Sequence, residues 1–347
     1  MTVAETVSLA EQYAALTERC GLVDRSERGK LALTGADAVE FLNGQVSNEL
    51  LDLQPGEGRY ATFLTHKGKM LGDLRILAAG EPGSPAAELL LDTERTALQA
   101  LFDAIWRFKV GYRVELHKRT LESSLFSLVG PEADRVATAA VGPLAGSEGV
   151  EHDRAALPGE AEHSHVPAQI DVAPARLIRT DVGLDVLFAA SAMTTVQAAL
   201  ERSGAAPVDE QAAEILRVER GRPRYGLDVD ETTIPQEAGL NERAVSFTKG
   251  CYVGQETVAR LHYKGKPNRH LRGLCLSEPV TSGTELLLAE PGSANGERPV
   301  GSLGSSVLSP ARGPIGLALL RREAEPGATL KVAGCHATAI VVELPFG

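Results

Sequence analysis

The sequence predicts an α+β protein of more than one domain, with an all-β C-terminal part from Leu271, either a small barrel or a sandwich. Three observations carry this. The chain has 347 residues, and a single hydrophobic core rarely grows past roughly 250–300 residues. Its first two-thirds mix helical and strand patterns. From Leu271 onward, short apolar runs recur between Gly, Pro and Ser: Leu274 to Leu276, Glu285 to Leu288, Val300 to Val307, Ile315 to Leu319, Leu330 to Val332 and Ala337 to Leu344. Such spacing is that of short strands joined by turns.

The elements follow in order. Met1 to Cys20 reads as an N-terminal helix or lead-in, and the alternation at Leu31 and Leu33 opens the ordered core. Asp37 to Leu42 reads as a short helix packing Val39 and Leu42. Tyr60 to Leu77 predicts a β-hairpin turning at His66-Lys67-Gly68-Lys69, with Leu71, Asp73, Arg75 and Leu77 along its second arm. Thr93 is placed to cap a helix burying Leu98, Leu101, Phe102, Ile105 and Trp106. Val110 to Leu116 and Ser124 to Val129 read as strands. The Ala-, Gly-, Pro- and acid-rich stretch from Pro131 to Pro174, which carries His152, His163 and His165, reads as a helix plus loops. His163-Ser164-His165 lacks a partnering ligand pattern and is expected to be loop rather than metal site. Strands at Arg176 to Ile178 and Asp185 to Leu187 come next, then helices at Met193 to Leu200 and Gln211 to Glu219. Arg260 to Arg272 carries five basic residues around Gly265 and Pro267, a linker composition.

Composition excludes several classes. Hydrophobic content of 43% and charged content of 23% are those of a folded chain. A net charge of −11 argues against general nucleic-acid binding, which draws on clustered Lys and Arg. No apolar run is long enough to span a bilayer. An N-terminus carrying Glu5 and Glu11 does not read as a secretory signal. The cysteines Cys20, Cys251, Cys275 and Cys335 show no CxxC or Cys/His ligand spacing. No metal site is expected, and the cysteine usage fits a reducing cytoplasm.

The most informative segment is Lys249-Gly250-Cys251-Tyr252-Val253-Gly254-Gln255-Glu256. Its glycines let the backbone turn tightly and come close to a ligand. Thr257 to Tyr263 reads as the first turns of a helix or as a strand. If helical, it sets Cys251 just ahead of a helix N-terminus with a lysine nearby, a setting that favours thiolate. The plain alternative is a small buried hydrophobe, the commoner fate of a free cysteine.

Three runs carry a family resemblance: Arg217 to Gly226, Ile234-Pro235-Gln236-Glu237-Ala238-Gly239-Leu240, and Lys249 to Glu256. Together they resemble the YgfZ-type folate-binding proteins of the GcvT (glycine-cleavage T-protein, aminomethyltransferase) superfamily. The Lys-Gly-Cys-Tyr-x-Gly-Gln-Glu motif is that of the YgfZ branch; T-proteins resemble it at Lys249 and Gly254 and lack the cysteine. The hairpin at Tyr60 to Leu77 and the region Gly301 to Leu319 also match. The resemblance implies a three-domain ring of two interleaved ferredoxin-like α/β units plus a C-terminal β-barrel, with folate in the central hole. In this chain the core would span residues 1–262, a linker 263–270 and the barrel 271–347. It further implies a cytoplasmic protein that binds tetrahydrofolate or a one-carbon derivative. That protein would support assembly or maintenance of iron–sulfur proteins through Cys251, with iron–sulfur client or assembly proteins as partners.

One departure matters. T-proteins carry Asp-Asp-Leu on the second arm of the hairpin, whereas this chain has Gly72-Asp73-Leu74. Asp73 is the candidate acid and pterin ligand, since pterin donors pair with a bidentate acceptor. An outward-facing strand residue is the alternative. Asp185 loosely matches the glutamate with which T-proteins grip the pterin, and is otherwise an exposed turn residue. Arg224, Lys249 and Arg260 are candidates for the anionic tail of folate, and each is otherwise a solvated charge. Tyr225 and Tyr252 could stack on the pterin or pack in the core. Gln255 and Glu256 complete the candidate set, with Glu256 either orienting Lys249 or Cys251 or favouring a helix start.

For Cys251 three roles stand open: nucleophile, redox thiol forming a transient mixed disulfide, or soft ligand to a metal in transit. A cysteine-protease reading would need a partner such as His262 or His270, and the spacing supports neither. A dinucleotide-binding fold lacks its strand–GxGxxG–helix context. The main expectation is therefore folate-dependent support of iron–sulfur proteins. The alternatives are a folate-dependent aminomethyl or methyl transferase with Asp73 as acid/base, and a non-enzymatic folate-responsive adaptor.

Overall fold

The computed structural model describes residues 7–142, 157–289 and 296–347. Of the sequence expectations, His152 and the first six residues of the N-terminal helix or lead-in lie outside the described residues. The chain opens with helix α1 (Leu9–Glu18), started by a reciprocal cap in which Ser8 and Glu11 satisfy each other's backbone N–H. Strands β1 (Gly21–Asp24) and β2 (Gly29–Thr34) follow, then helix α2 (Ala38–Asn43) and the hairpin of β3 (Gly58–Leu64) and β4 (Met70–Ala79). Next come β5 (Glu88–Thr93), α3 (Leu98–Phe108), β6 (Glu115–Lys118), β7 (Ser123–Val129) and α4 (Ala133–Ala140). Strands β8 (His165–Ile170), β9 (Ala173–Thr180) and β10 (Gly183–Ala189) precede α5 (Met193–Arg202), β11 (Ala206–Val208) and α6 (Glu210–Glu219). A short α7 (Asn241–Ala244) and α8 (Gln255–Lys264) lead to strands β12 (Arg269–Leu276), β13 (Glu285–Ala289), β14 (Glu297–Ser309), β15 (Gly313–Arg321), β16 (Thr329–Val332) and β17 (Thr338–Val342).

These strands form three sheets: one of six in the order β11-β1-β7-β10-β9-β8, one of five in the order β3-β4-β5-β2-β6, and a closed barrel β12-β15-β14-β13-β16-β17. The two open sheets are interleaved in sequence, because the chain lays down β1, builds the whole five-stranded sheet, and only then returns with β7. The fold is the expected α+β architecture with a C-terminal barrel. The described residues group into two compact units. The first holds the chain up to Asn43 with Glu49–Tyr60 and Leu74–Ala213; the second holds Gly44–Asn48, Ala61–Asp73 and Glu214–Gly347.

In the first unit the core lies between the six-stranded sheet and two helices. Leu22, Leu128, Leu184 and Val186 point from alternate strand positions toward Val136 and Ala137 of α4 and Val196 and Leu200 of α5. The period of two in the strands and three to four in the helices brings those faces together. Several sequence expectations need correction here. Thr93 is the last residue of β5, and α3 begins at Leu98 without a side-chain cap. That helix buries Leu101, Ala104 and Ile105, while Trp106 is 57% exposed. Phe102 and Trp106 fall on the neighbouring stripe, stack on each other at 6.2 Å, and are covered by Lys118 and Lys109. Val110 is exposed, and the strand expected there is only β6. The stretch after Pro131 supplies α4 and β8, and His165 lies buried in that strand.

In the second unit the barrel closes around Leu274, Leu286, Leu303, Leu320, Leu330 and Val341. Its longest strand, β14, breaks register between Leu303 and Ser306. A buried carboxylate sits at that bulge: Ser305 N–H donates to Asp228 Oδ1 at 2.7 Å, and a Cβ at Gly304 would lie 2.6 Å from the same oxygen. Asp228 Oδ2 also accepts from Arg217 and from the Arg224 backbone, each at 2.9 Å. The basic stretch expected as linker is helical as far as Lys264, and β12 starts at Arg269.

Candidate functional site

The segment Lys249 to Glu256 is laid over the tip of the β3–β4 hairpin, within the second unit. The tip is closed by Thr65, whose carbonyl accepts from Gly68 N–H at 2.9 Å and whose N–H donates to Lys69 at 2.8 Å. Gly254 sits against it at φ +86°, just before α8. A Cβ there would stand 2.6 Å from the Thr65 carbonyl, and a Cβ at Gly68 (φ +73°) would stand 2.9 Å from Thr257. Each position therefore needs glycine twice over, for its left-handed backbone and for the close approach. Gly250 is different: a side chain there would meet nothing within 4 Å.

Lys249 points inward. It is 8% exposed, and its Nζ donates to the carbonyls of Val46 at 3.0 Å and Asn48 at 2.6 Å. It also lies 5.3 Å from the Tyr252 ring centre. The same Gly44–Asn48 stretch is tied down by Ser47, which donates to the Ala244 carbonyl and accepts from Thr62 N–H, and by Ser246 N–H donating to Ser47 O. Lys249 thus fastens its own loop to the Gly44–Asn48 stretch, which Ser47 in turn ties to Thr62 of β3. Tyr252 is buried, and burial pushes its phenol up to about 12. Between them Cys251 is exposed. Gln255 donates to Gly250 O at 3.4 Å, and Glu256 and Arg260 lie exposed on α8. The arrangement presents a solvent-accessible thiol on a backbone that is fixed on both sides. Such a thiol can attack an electrophile, exchange with a disulfide or take a soft metal.

A second grouping in the same unit joins Asp73 and Tyr225. Asp73 is 7% exposed, so it is not an outward-facing strand residue. Tyr225 is buried, and its Oη lies 3.5 Å from Met70 O. Burial raises its phenol to about 12, with Glu231, Asp230 and Asp73 adding to the effect. Asp73 is therefore close enough for its charge to be felt at the phenol. A folate head fits this chemistry: a buried carboxylate for the pterin donors and a tyrosine that feels its charge. Arg224 is engaged elsewhere, with Glu214 at 3.2 Å. Arg260 makes no ion pair among the described residues and suits an anionic tail.

Asp185 belongs to the first unit and lies inside a charged network. It accepts from Ser127 Oγ and from Arg75, both at 2.6 Å. Arg75 reaches Asp92 at 3.0 Å, and Asp92 is also held by Arg28 at 2.9 Å. Burial alone would raise Asp92, but Arg28 and Arg75 outweigh it and hold the carboxyl below its usual range. Sequence reasoning missed Arg75, Ser127 and Asp92 as partners of Asp185. The alternation of β4 carried a signal for Arg75, since it shares a strand face with Asp73. The fixing roles of Thr65, Gly68 and Ser47 were likewise unread, because they depend on contacts between segments far apart in sequence.

Comparison with known proteins bears on the family and the fold. Residues 4–249 match the family model described as the GCVT N-terminal domain. An aminomethyltransferase of Streptomyces coelicolor is 27% identical over 97% of this chain and 88% of its own length. A putative chloroplastic transferase of Arabidopsis thaliana is 28% identical over 94% of this chain and 71% of its own. Among solved structures, the glycine cleavage system aminomethyltransferase T of Bartonella henselae superposes with a TM-score of 0.80 at 22% identity, over 98% of this chain and 90% of that one. The family match spans well over half of the sequence, and the chain belongs to the GcvT family of the aminomethyltransferase superfamily.

Proposed function

We propose that the protein binds tetrahydrofolate or a one-carbon derivative of it and acts through that ligand in the cytoplasm. The buried Asp73–Tyr225 pair carries the reading, because it supplies a carboxylate and an aromatic group suited to a pterin head. Relatives named aminomethyltransferase favour folate-dependent aminomethyl or methyl transfer as the activity. Bound folate would supply the one-carbon carrier. In this chain Asp73 would hold or move the proton at the folate nitrogen, and Gly72 stands where T-proteins carry a further acid. The test is calorimetric titration with tetrahydrofolate and its 5,10-methylene and 5-formyl forms. Asp73→Ala is expected to weaken binding by about one to two orders of magnitude, the loss of one charge-assisted hydrogen bond of about 1.5–3 kcal/mol. Unchanged affinity in a folded variant removes Asp73 from the site.

A second reading rests on a different observation, the exposed Cys251 within Lys249 to Glu256. That segment supports YgfZ-type membership, and with it support of iron–sulfur proteins through the thiol. The two readings separate in one pair of assays. Turnover of a methylene or aminomethyl donor that survives Cys251→Ser supports transfer. Tight folate binding without turnover, together with loss of iron–sulfur enzyme activity in cells carrying Cys251→Ser, supports maintenance.

A further inference from the structure

The chain is acidic overall, yet from Thr257 to Ser277 it contains no acidic residue. Two of the basic groups in that stretch are used internally: Arg269 pairs with Glu237 at 2.8 Å and Arg272 with Glu343 at 2.8 Å. Arg260, Lys264 and Lys266 are exposed and make no ion pair among the described residues. Arg260 and Lys264 stand four residues apart on α8, a like-charge spacing that by itself weakens a helix, and the one acidic residue of α8, exposed Glu256, lies in its first turn. The hairpin tip, whose Gly68 abuts Thr257 of α8, adds exposed His66 and Lys67 to the same side of the second unit. Tyr263 is 67% exposed, edge-on to both Phe247 and His262.

We propose that the exposed basic face of α8 and the adjoining hairpin tip form the docking surface for an acidic segment of a partner protein, bringing that partner to the Cys251 thiol. The inference rests on the reading of Cys251 as a group that acts on another protein. Charge complementarity selects the occupant. Cations gathered on one face of a chain of net charge −11 attract and steer an anionic partner. A nucleic acid fits less well, since its whole length is anionic and would be repelled by the remainder of a chain of net charge −11. The ten residues of α8 span about 15 Å, so a docked segment running along the helix ends beside the loop that carries Cys251.

The test uses the full chain and a fluorescein-labelled deca-glutamate peptide, read by anisotropy at low salt. Saturable binding is expected, weakened roughly tenfold or more by Lys264→Glu with Lys266→Glu and by added salt. The same charge change at Arg95→Glu with Arg107→Glu, exposed positions in the first unit, should leave binding within about twofold. Melting temperatures confirm that both pairs fold. Absence of saturable binding, or equal loss in the two pairs, overturns the proposal. Tighter binding of a ten-residue oligothymidine, lost in the same lysine variant, overturns the choice of a protein partner. Cys251→Ser should bind the peptide unchanged. If it does so while remaining fully active in iron–sulfur support, the thiol reading fails and the docking surface stands.

Discussion

Two charged loci in this molecule are built on opposite plans. Around Asp185 in the first unit, Arg75, Ser127 and Asp92 turn toward one another and bury their charges as a set, with half-buried Arg28 linking Asp92 to Glu94 at its edge. Around Cys251 in the second unit, one lysine is drawn inward to hold backbone carbonyls and the thiol is left outside. A closed set of that kind resists change, because removing one member strands the others without water. An exposed group fixed from below can be altered freely as far as folding is concerned. Stability measurements at the two loci therefore separate architecture from chemistry.

The largest effect is expected at Asp185→Ala, which leaves Arg75 buried with Asp92 alone and should cost about 3–5 kcal/mol in urea unfolding. A cost below about 1 kcal/mol, the range of surface pairs, would mean that the network is not closed. Next comes His165, also in the first unit, whose Nδ1 accepts from Arg176 Nη1 at 2.7 Å and whose Nε2 is without a hydrogen bond. Burial, with Arg176 nearby, lowers its folded-state pKa from 6.5 to about 4. The unfolded chain then binds the extra proton first, so stability is complete above about pH 6.5 and declines as pH falls toward about 4. His165→Gln should flatten the slope between those limits, and an unchanged slope would assign it to other groups.

Smaller effects are expected on the second unit's loop. Gly254→Ala forces a side chain into the left-handed region and against the Thr65 carbonyl, at a cost of about 1–3 kcal/mol. Gly250→Ala, in open space, should cost no more than about 0.5 kcal/mol. Smallest of all, Cys251→Ser should change unfolding free energy by less than about 0.5 kcal/mol, while alkylation by iodoacetamide disappears at that site. A stability loss at Cys251 comparable to that of Asp185→Ala would erase the contrast between the two loci.

Much of this was legible in the sequence. The hairpin turning at His66 to Lys69 and the six barrel strands were readable because turn residues and alternation are local signals. Burial of Asp73, Lys249 and Asp185 was not, since their neighbours come from segments tens to hundreds of residues away. Thr93 misled because a threonine preceding an apolar helix is a good cap by type, but here it completes the alternation of β5. Trp106 misled because a helix with two adjacent apolar stripes does not say which one faces the sheet.

The contact between Gly68 and α8 has a consequence for chain length. Hairpin tips ordinarily accept extra residues, tags or inserted domains with little penalty. Here one added residue between His66 and Lys67 would displace Gly68 from Thr257 and take away the carbonyl against which Gly254 turns. The tip is thus fixed in length as firmly as a core position is fixed in volume. The exposed loop between β4 and β5, residues 80–87, carries Gly83 with nothing within 4 Å of an added Cβ, and is where an inserted probe would be tolerated.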